Sequence, residues 1–160
     1  MAIDVVVETR IGRPIDAVYA ELIDLDRWPE WLVATGIQRI ARSTTGPAVD
    51  GERLVIDQAA AGRHGTFQGS VTRVEAPTHL SIAGKDSDGV TIEIAAKLVP
   101  VDAVQTVLRF EIRIALPFRL RIFEGLARPQ VERAVEADVE GFRRRLASVA
   151  RQPRAPRRLR

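Results

Sequence analysis

Residues 11–32 read IGRPIDAVYAELIDLDRWPEWL, and the hydrophobic pattern changes period as the chain enters them. Ahead of this stretch, Ile3, Val5, Val7, Thr9 and Ile11 alternate with Asp4, Glu8 and Arg10, the spacing of a half-buried strand. Val6 falls on the polar face, where a neighbouring element can partly cover it. At Pro14 the period lengthens. Proline suits the first turn of a helix, where its missing N–H has no partner to lose. Ile15, Val18, Tyr19 and Leu22 then follow at i, i+3, i+4 and i+7, one helical face. Asp24 is placed to cap a second short helix, Leu25–Trp31, which Pro29 breaks or confines to a turn or two.

Downstream, six segments have strand character: roughly Gly36–Arg42, Arg53–Ala59, Thr66–Glu75, His79–Lys85, Val90–Leu98 and Val104–Leu116. Turn-forming stretches, TGPAVDG, AAGRHG, EAPT, DSDG and PVDA, separate them. Alternation is clearest in the last two strands, where Val90, Ile92, Ile94, Ala96 and Leu98, and then Thr106, Leu108, Phe110, Ile112, Ile114 and Leu116, each share one face. Strands joined by tight turns pair antiparallel, one face wet and one covered. The cover is a helix: Val131, Val135, Val139, Phe142, Leu146 and Val149 form a stripe at spacings of three and four. A looser helical stretch, Phe118–Arg128, precedes it, and Pro129 between the two predicts a kink or break. The order is strand, two short helices, six strands, long helix. It predicts an α+β domain in which a seven-stranded curved antiparallel sheet grips the C-terminal helix.

Composition limits the chemistry. The chain of 160 residues suits one domain and is 46% hydrophobic, with no cysteine, which excludes a disulfide framework, thiolate catalysis and cysteine-ligated metal. Acidic Asp4 and Glu8 interrupt the N-terminus, no apolar run approaches a membrane span, and a soluble cytoplasmic protein is expected. The net charge of +3 is misleading, because five arginines fall in the last ten residues, RQPRAPRRLR, and without them 19 basic residues face 21 acidic ones. A nucleic-acid-binding domain carries its charge on the folded surface, so no specific nucleic-acid partner is expected. Residues 1–150 read as the domain and 151–160 as a mobile basic tail with nothing to bury. That tail would offer weak contact with an anionic membrane. Nothing in the sequence sets the oligomeric state.

The opening stretch also resembles the START-like (SRPBCC) superfamily, in its polyketide cyclase/dehydrase branch. The resemblance lies in Ile11 ending the first strand, Pro14 opening the helix, Val18-Tyr19, and Asp24 followed by Trp28-Pro29-Glu30-Trp31. The later VEAP at 74–77 running into THLSI, and the arginine-rich last helix, are similar too. It implies a helix-grip fold with a deep cavity between sheet and helix. It also implies an apolar or aromatic ligand (a lipid, quinone or polyketide-like molecule), with no cofactor.

Alternation nominates the ligand-facing residues: Leu54, Ile56 and Gln58; Phe67, Gly69 and Val71; Leu80 and Ile82; Ile92, Ile94, Phe110 and Ile112; and Ile122, Phe123 and Leu126 from the final helical region. Taken singly, each reads first as plain core packing. Small residues (Gly69, Ala83, Gly84, Ala95, Ala96) would leave the interior underfilled. Entry is expected between Phe118–Arg128 and the strand loops.

Candidates for chemistry are few. His64 and His79 sit at a turn and at a strand start, both surface positions by default. Trp28 and Trp31 read as packing of a short helix on the sheet rim, with ligand stacking as the alternative. No cluster has metal-ligand spacing, so no metal is expected. Asp138 falls inside the apolar arc of the last helix, where an unpaired carboxylate is costly. It reads either as a structural ion pair or hydrogen bond, or as a polar anchor or general acid in the cavity. With only Gln58 and Asp138 facing inward, and Arg73 if its strand bulges, the polar set favours a carrier or sensor over a cyclase or dehydratase, which needs several converging groups.

Overall fold

Rows of β-branched side chains across the strands organise this fold, whose computed structural model describes residues 2–60 and 62–151, with side chains up to Ser148. The seven strands are β1 (Ala2–Ile11), β2 (Ile37–Arg42), β3 (Arg53–Ala60), β4 (Arg63–Glu75), β5 (His79–Lys85), β6 (Thr91–Pro100) and β7 (Thr106–Ala115). They form one antiparallel sheet in the order β1-β7-β6-β5-β4-β3-β2. Its registers set Val5 beside Ile112, Ile112 beside Ile94, Ile94 beside Ile82 and Ile82 beside Val71. One unbroken apolar row thus crosses five strands on the inner face. Cross-strand β-branched pairs of this kind stabilise a sheet face directly.

Between β1 and β2 lie α1 (Ile15–Leu22), a 3-10 turn (Leu25–Arg27) and α2 (Trp28–Trp31). Pro14 stands just ahead of α1 as its cap residue. Pro29 falls in the first turn of α2, so it confines that helix to four residues without breaking it. After β7 the chain forms a 3-10 segment, Phe118–Phe123, and then α3 (Glu124–Arg151), which packs along β1 and α2. The expected break at Pro129 is corrected: α3 runs through it without interruption. The change of helix type falls earlier, between Phe123 and Glu124, and Pro129 lies only in the second turn of α3, where few hydrogen bonds precede it. Val149, expected on the buried stripe, and the tail from 152 onward lie outside the described side chains.

The two ends of the sheet–helix sandwich differ. Toward the C-terminal half of α3, Val135, Val139, Phe142 and Leu146 are fully buried, in one core cluster with Trp28, Trp31, Leu98, Leu108 and Phe110. Trp31 sits 4.8 Å from Phe142 and 5.7 Å from Phe110, ring centre to ring centre, and 5.6 Å from Trp28. The tryptophans are core side chains rather than ligand stackers. At the other end α3 presents Ala127, Val131 and Ala134 to the sheet, and there the interior does not close.

Candidate functional site

Short side chains on one stretch of α3 create the candidate site. Ala127, Val131 and Ala134, spaced four and three along the helix, face Ile92, Ile94, Ile112 and Ile114 of the sheet across a cavity of about 240 Å³. A second space of about 190 Å³ adjoins it, sharing Gln58, Ala60, Ile92, Ile114, Ala127 and Val131, and reaches Ile3, Phe67 and Arg63. It continues into an outer groove of about 550 Å³ between Leu116, Leu120, Phe123, Leu126 and Gln130. Together they form a crevice that runs from the sheet–helix interior to the surface beside the start of α3. Among the described residues, the 240 Å³ chamber is lined by no ionisable side chain; its polar groups are Thr35, Gln58 and Gln130.

One wall is the loop 32–36, which joins α2 to β2. Asp138 of α3 holds it: Oδ1 accepts from the Ala34 N–H at 2.8 Å, and Oδ2 accepts from both the N–H and the hydroxyl of Thr35 at 2.8 Å. Of the two readings of Asp138, the geometry matches the structural one, since both oxygens are engaged and the side chain lines neither chamber. Gly36 completes the loop with φ +78°; a Cβ there would stand 2.0 Å from the Ala59 carbonyl oxygen. Only glycine meets both demands. Thr35 in turn orients Gln58: the amide Nε2 donates to the Thr35 carbonyl at 2.7 Å. Its Oε1 is left as an acceptor in the crevice, without a partner among the described residues.

The ligand-facing residues expected from alternation divide into groups. Gln58, Phe67, Ile92, Ile94 and Ile112 do line the crevice. Leu54, Ile56, Val71, Leu80, Ile82 and Phe110 are buried in closed core away from both chambers. Gly69 is also corrected: its Cβ would meet the Ala83 carbonyl oxygen at 2.0 Å, so glycine is there to let β4 and β5 approach, and a side chain at 69 would disrupt the sheet. Ile122, Phe123 and Leu126 do not point into the interior; they are 81%, 54% and 74% exposed. Phe123 and Leu126 flank the outer groove, and Ile122 lines none of the three spaces. Beyond Leu126 the sequence points only to Asp138 on this helix, which lines neither chamber, and not to the short side chains at 127, 131 and 134 that do.

Each histidine meets expectation in one respect and departs from it in another: His64 is at the surface, and His79 begins β5. His64 lies in β4 rather than in a turn, and is exposed. His79 is buried on the outer sheet face, with Nε2 2.6 Å from the Ser81 hydroxyl, and its backbone carbonyl accepts from Tyr19 Oη at 3.2 Å. Burial, with Arg73 and Lys97 nearby, lowers its pKa below the ordinary histidine value. Arg73 stands at a bulge but points outward, paired with Glu75 at 2.8 Å. The outer face holds a shallow hollow of about 630 Å³ over Val6, Ser81, Ala83 and Ala95. Glu111 on its rim pairs with Lys97 and Arg109, and Arg109 also with Glu8. Sequence reading missed the buried pair Arg42–Glu52: Nε to Oε2 2.7 Å and Nη2 to Oε1 2.8 Å, with Thr44 donating to Oε1 at 2.5 Å. That cluster fastens the loop after β2 at the closed end of the molecule.

Among the described residues there is no group of three or more metal-ligating side chains, and no helix is long and apolar enough to cross a membrane.

The fold has many solved counterparts. An aromatase/cyclase from Streptomyces sp. R1128 matches with a TM-score of 0.77 at 13% identity, covering 94% of this chain and 97% of that one. A START superfamily protein from Mycobacterium smegmatis matches at 0.73 and 12% identity, covering 91% and 98%. Norcoclaurine synthase from Thalictrum flavum, solved with dopamine and hydroxybenzaldehyde, matches at 0.64 and 13% identity, covering 96% and 90%. At these identities the likeness concerns the fold. No curated protein matches the chain. The family model described as polyketide cyclase/dehydrase and lipid transport matches residues 2–150, nearly the whole described chain, and this protein belongs to that family.

Proposed function

We propose that residues 1–150 bind an apolar or aromatic small molecule in the crevice beneath the first half of α3, as a carrier or sensor, with 151–160 a basic extension. The observation that carries the reading is the inner chamber: enclosed by aliphatic side chains, open to the surface through the outer groove, and free of ionisable side chains among its described lining residues. Acid–base catalysis needs a titratable group within hydrogen-bond reach of the reacting atom. In the adjoining space the ionisable side chains are Arg63 and Asp86, paired with each other at 2.9 Å, and Asp86 also accepts from the backbone of Asp88 and Val90. With the carboxylate so engaged and none in the inner chamber, the cyclase or dehydratase alternative stands second. Burying hydrocarbon in such a space is favourable by about 25 cal/mol for each Å² removed from water.

Gln58 adds a polar anchor for the ligand. The Thr35 carbonyl takes one of its two amide N–H groups, so Gln58 offers an acceptor oxygen and one remaining N–H. A ligand with one hydroxyl on an otherwise apolar body serves either group, since a hydroxyl both donates and accepts. The deciding experiment is native mass spectrometry of the purified protein, followed by extraction and identification of what co-purifies. Adducts of hydroxylated apolar mass are expected. If no adduct forms and the protein fails to take up an apolar fluorophore such as N-phenyl-1-naphthylamine, the binding reading is lost. Turnover of an aromatic polyketide would favour the enzyme instead.

A further inference from the structure

The segment that leads into α3 carries the largest unpaired apolar surface of the chain's described part. Phe118 is 86% exposed, Ile122 81%, Leu126 74% and Phe123 54%. These four side chains fall within nine residues, on the 3-10 segment and the first turn of α3; the other exposed run, Val99, Val101 and Val104 at the β6–β7 turn, is made of smaller and on average less exposed side chains. They project outward, with Arg119 and Arg121 interleaved among them and Arg128 just beyond. Arg119 is two-thirds exposed and bonds Asp88 across the groove, Arg121 lies 5.8 Å from the Phe118 ring centre, and Arg128 is partly exposed. The segment's one carboxylate, Glu124, is buried and paired with Arg128 at 3.3 Å. The segment therefore presents projecting hydrocarbon set among positive charge, and it forms the lip of the outer groove.

We propose that this face docks the protein on an anionic lipid surface, with Phe118, Ile122, Phe123 and Leu126 entering the interface and Arg119, Arg121 and Arg128 meeting the headgroups. Amphipathic basic segments bind membranes through just this pairing of apolar burial and attraction to anionic lipid. The charge argues against the other occupants. A second copy related by a twofold axis would set arginines against arginines, and the chain's own tail, RQPRAPRRLR, has the same sign. A protein partner needs pockets shaped to four protruding side chains, whereas a bilayer interface accepts them without complementary shape. Docking would turn the groove toward the hydrocarbon, so that an apolar ligand could pass between bilayer and crevice without crossing water. This reaches beyond the binding function, and it can be tested without any ligand.

The test is flotation of the full chain with vesicles of phosphatidylcholine alone, and of phosphatidylcholine with phosphatidylglycerol in equal parts. Flotation is expected with the anionic vesicles only, and should weaken as salt is raised. The double variant Phe118→Ser/Ile122→Ser should lose about tenfold or more in partitioning, and Arg121→Glu several-fold. Both sites are exposed, so the far-ultraviolet spectrum and melting temperature of each variant should match the parent's. Equal flotation of the double variant would overturn the proposal, as would flotation that only deletion of 152–160 abolishes. Equal flotation on neutral vesicles, none on either, or a concentration-dependent dimer dispersed by the double variant would also overturn it. Failure here would leave the crevice reading intact, because uptake of N-phenyl-1-naphthylamine by the vesicle-free protein reports on that separately.

Discussion

The two halves of α3 meet the same sheet and reach opposite outcomes. Further along the helix, Val135, Val139, Phe142 and Leu146 are fully buried, and Trp31 stands against the rings of Phe142 and Phe110. Along its N-terminal half, Ala127, Val131 and Ala134 stand over Ile92, Ile94, Ile112 and Ile114, and a cavity of about 240 Å³ remains. The backbone geometry is one helix on one sheet throughout; what differs is side-chain volume. An interior normally packs to crystal density, so a gap lined by aliphatic groups is a departure concentrated at one end.

The sharpest way to break this contrast is at the closed end. Phe142→Ala should cost about 3–5 kcal/mol, because a buried ring is removed from a site that cannot collapse. Urea unfolding measures it. Val131→Ala, at the rim of the crevice and only partly buried, should cost far less. If the two losses were alike, the helix would be equally packed along its length and the comparison would fail.

The closed end is also fastened electrostatically. Arg42 and Glu52 are almost wholly buried and bond through two contacts. Arg42→Met would strand a buried carboxylate, at a cost of about 3–5 kcal/mol near neutral pH. The Arg42 guanidinium, through its hydrogen bonds, holds the Glu52 pKa below the ordinary carboxylate value. A carboxylate with a lowered native pKa contributes stability in full above its unfolded value, about 4.3, and loses it as pH falls through that value toward the native one. The gap in melting temperature between wild type and Arg42→Met should therefore be widest near neutrality and narrow below about pH 4. A gap that stayed constant with pH would mean that the pair contributes by packing alone.

How far the sequence could anticipate this contrast depends on which forces write a periodic pattern. Strand alternation and the stripe from Val131 to Leu146 are periodic because burial repeats with the backbone, so the sheet, the helix and their order were legible. Asp138 was also legible as an oddity, being a carboxylate on an apolar arc. Its partners were not, since Ala34 and Thr35 offer mainly backbone groups from a loop more than a hundred residues away. Ile122, Phe123 and Leu126 show the limit of the rule that apolar means inward: that rule describes what is buried and does not forbid apolar exposure. His79 erred in the other direction. Its position after Pro77-Thr78 looked like a turn edge, but the outer face of the sheet is itself covered there by the neighbouring side chains of β4 and β6. The crevice left the faintest trace, because a cavity appears in sequence only as alanines where larger residues would fit.

Asp138→Asn sharpens the comparison at the boundary between the two ends. Asparagine keeps one acceptor oxygen and turns an amide donor toward groups that are themselves donors, so one of the three bonds to loop 32–36 must be lost. The expected cost is about 1–3 kcal/mol. The loop should loosen with it, seen as faster amide hydrogen exchange at Ala34 and Thr35 than in β6. Loss of stability with unchanged exchange in the loop would place the role of Asp138 elsewhere.

The smallest effect on stability is expected where the effect on binding is largest. Ala134 lines the 240 Å³ chamber from the helix side, and a phenylalanine there would direct its ring into empty space rather than into packed atoms. Adding volume to a filled core costs about 1–3 kcal/mol; at this position the new contacts should offset the strain, leaving unfolding free energy within about 1 kcal/mol of wild type. The ring would nevertheless occupy the space a ligand needs. Uptake of N-phenyl-1-naphthylamine should fall to background in Ala134→Phe, while the Phe118→Ser/Ile122→Ser variant, altered only outside the crevice, should retain it. Strong destabilisation by Ala134→Phe would show that the chamber is closed in solution and that both halves of α3 are packed. Unchanged stability with unchanged uptake would show that the probe binds on the surface. Only the combination of a stable fold with lost uptake fits a helix that seals one end of the molecule and roofs a binding site at the other.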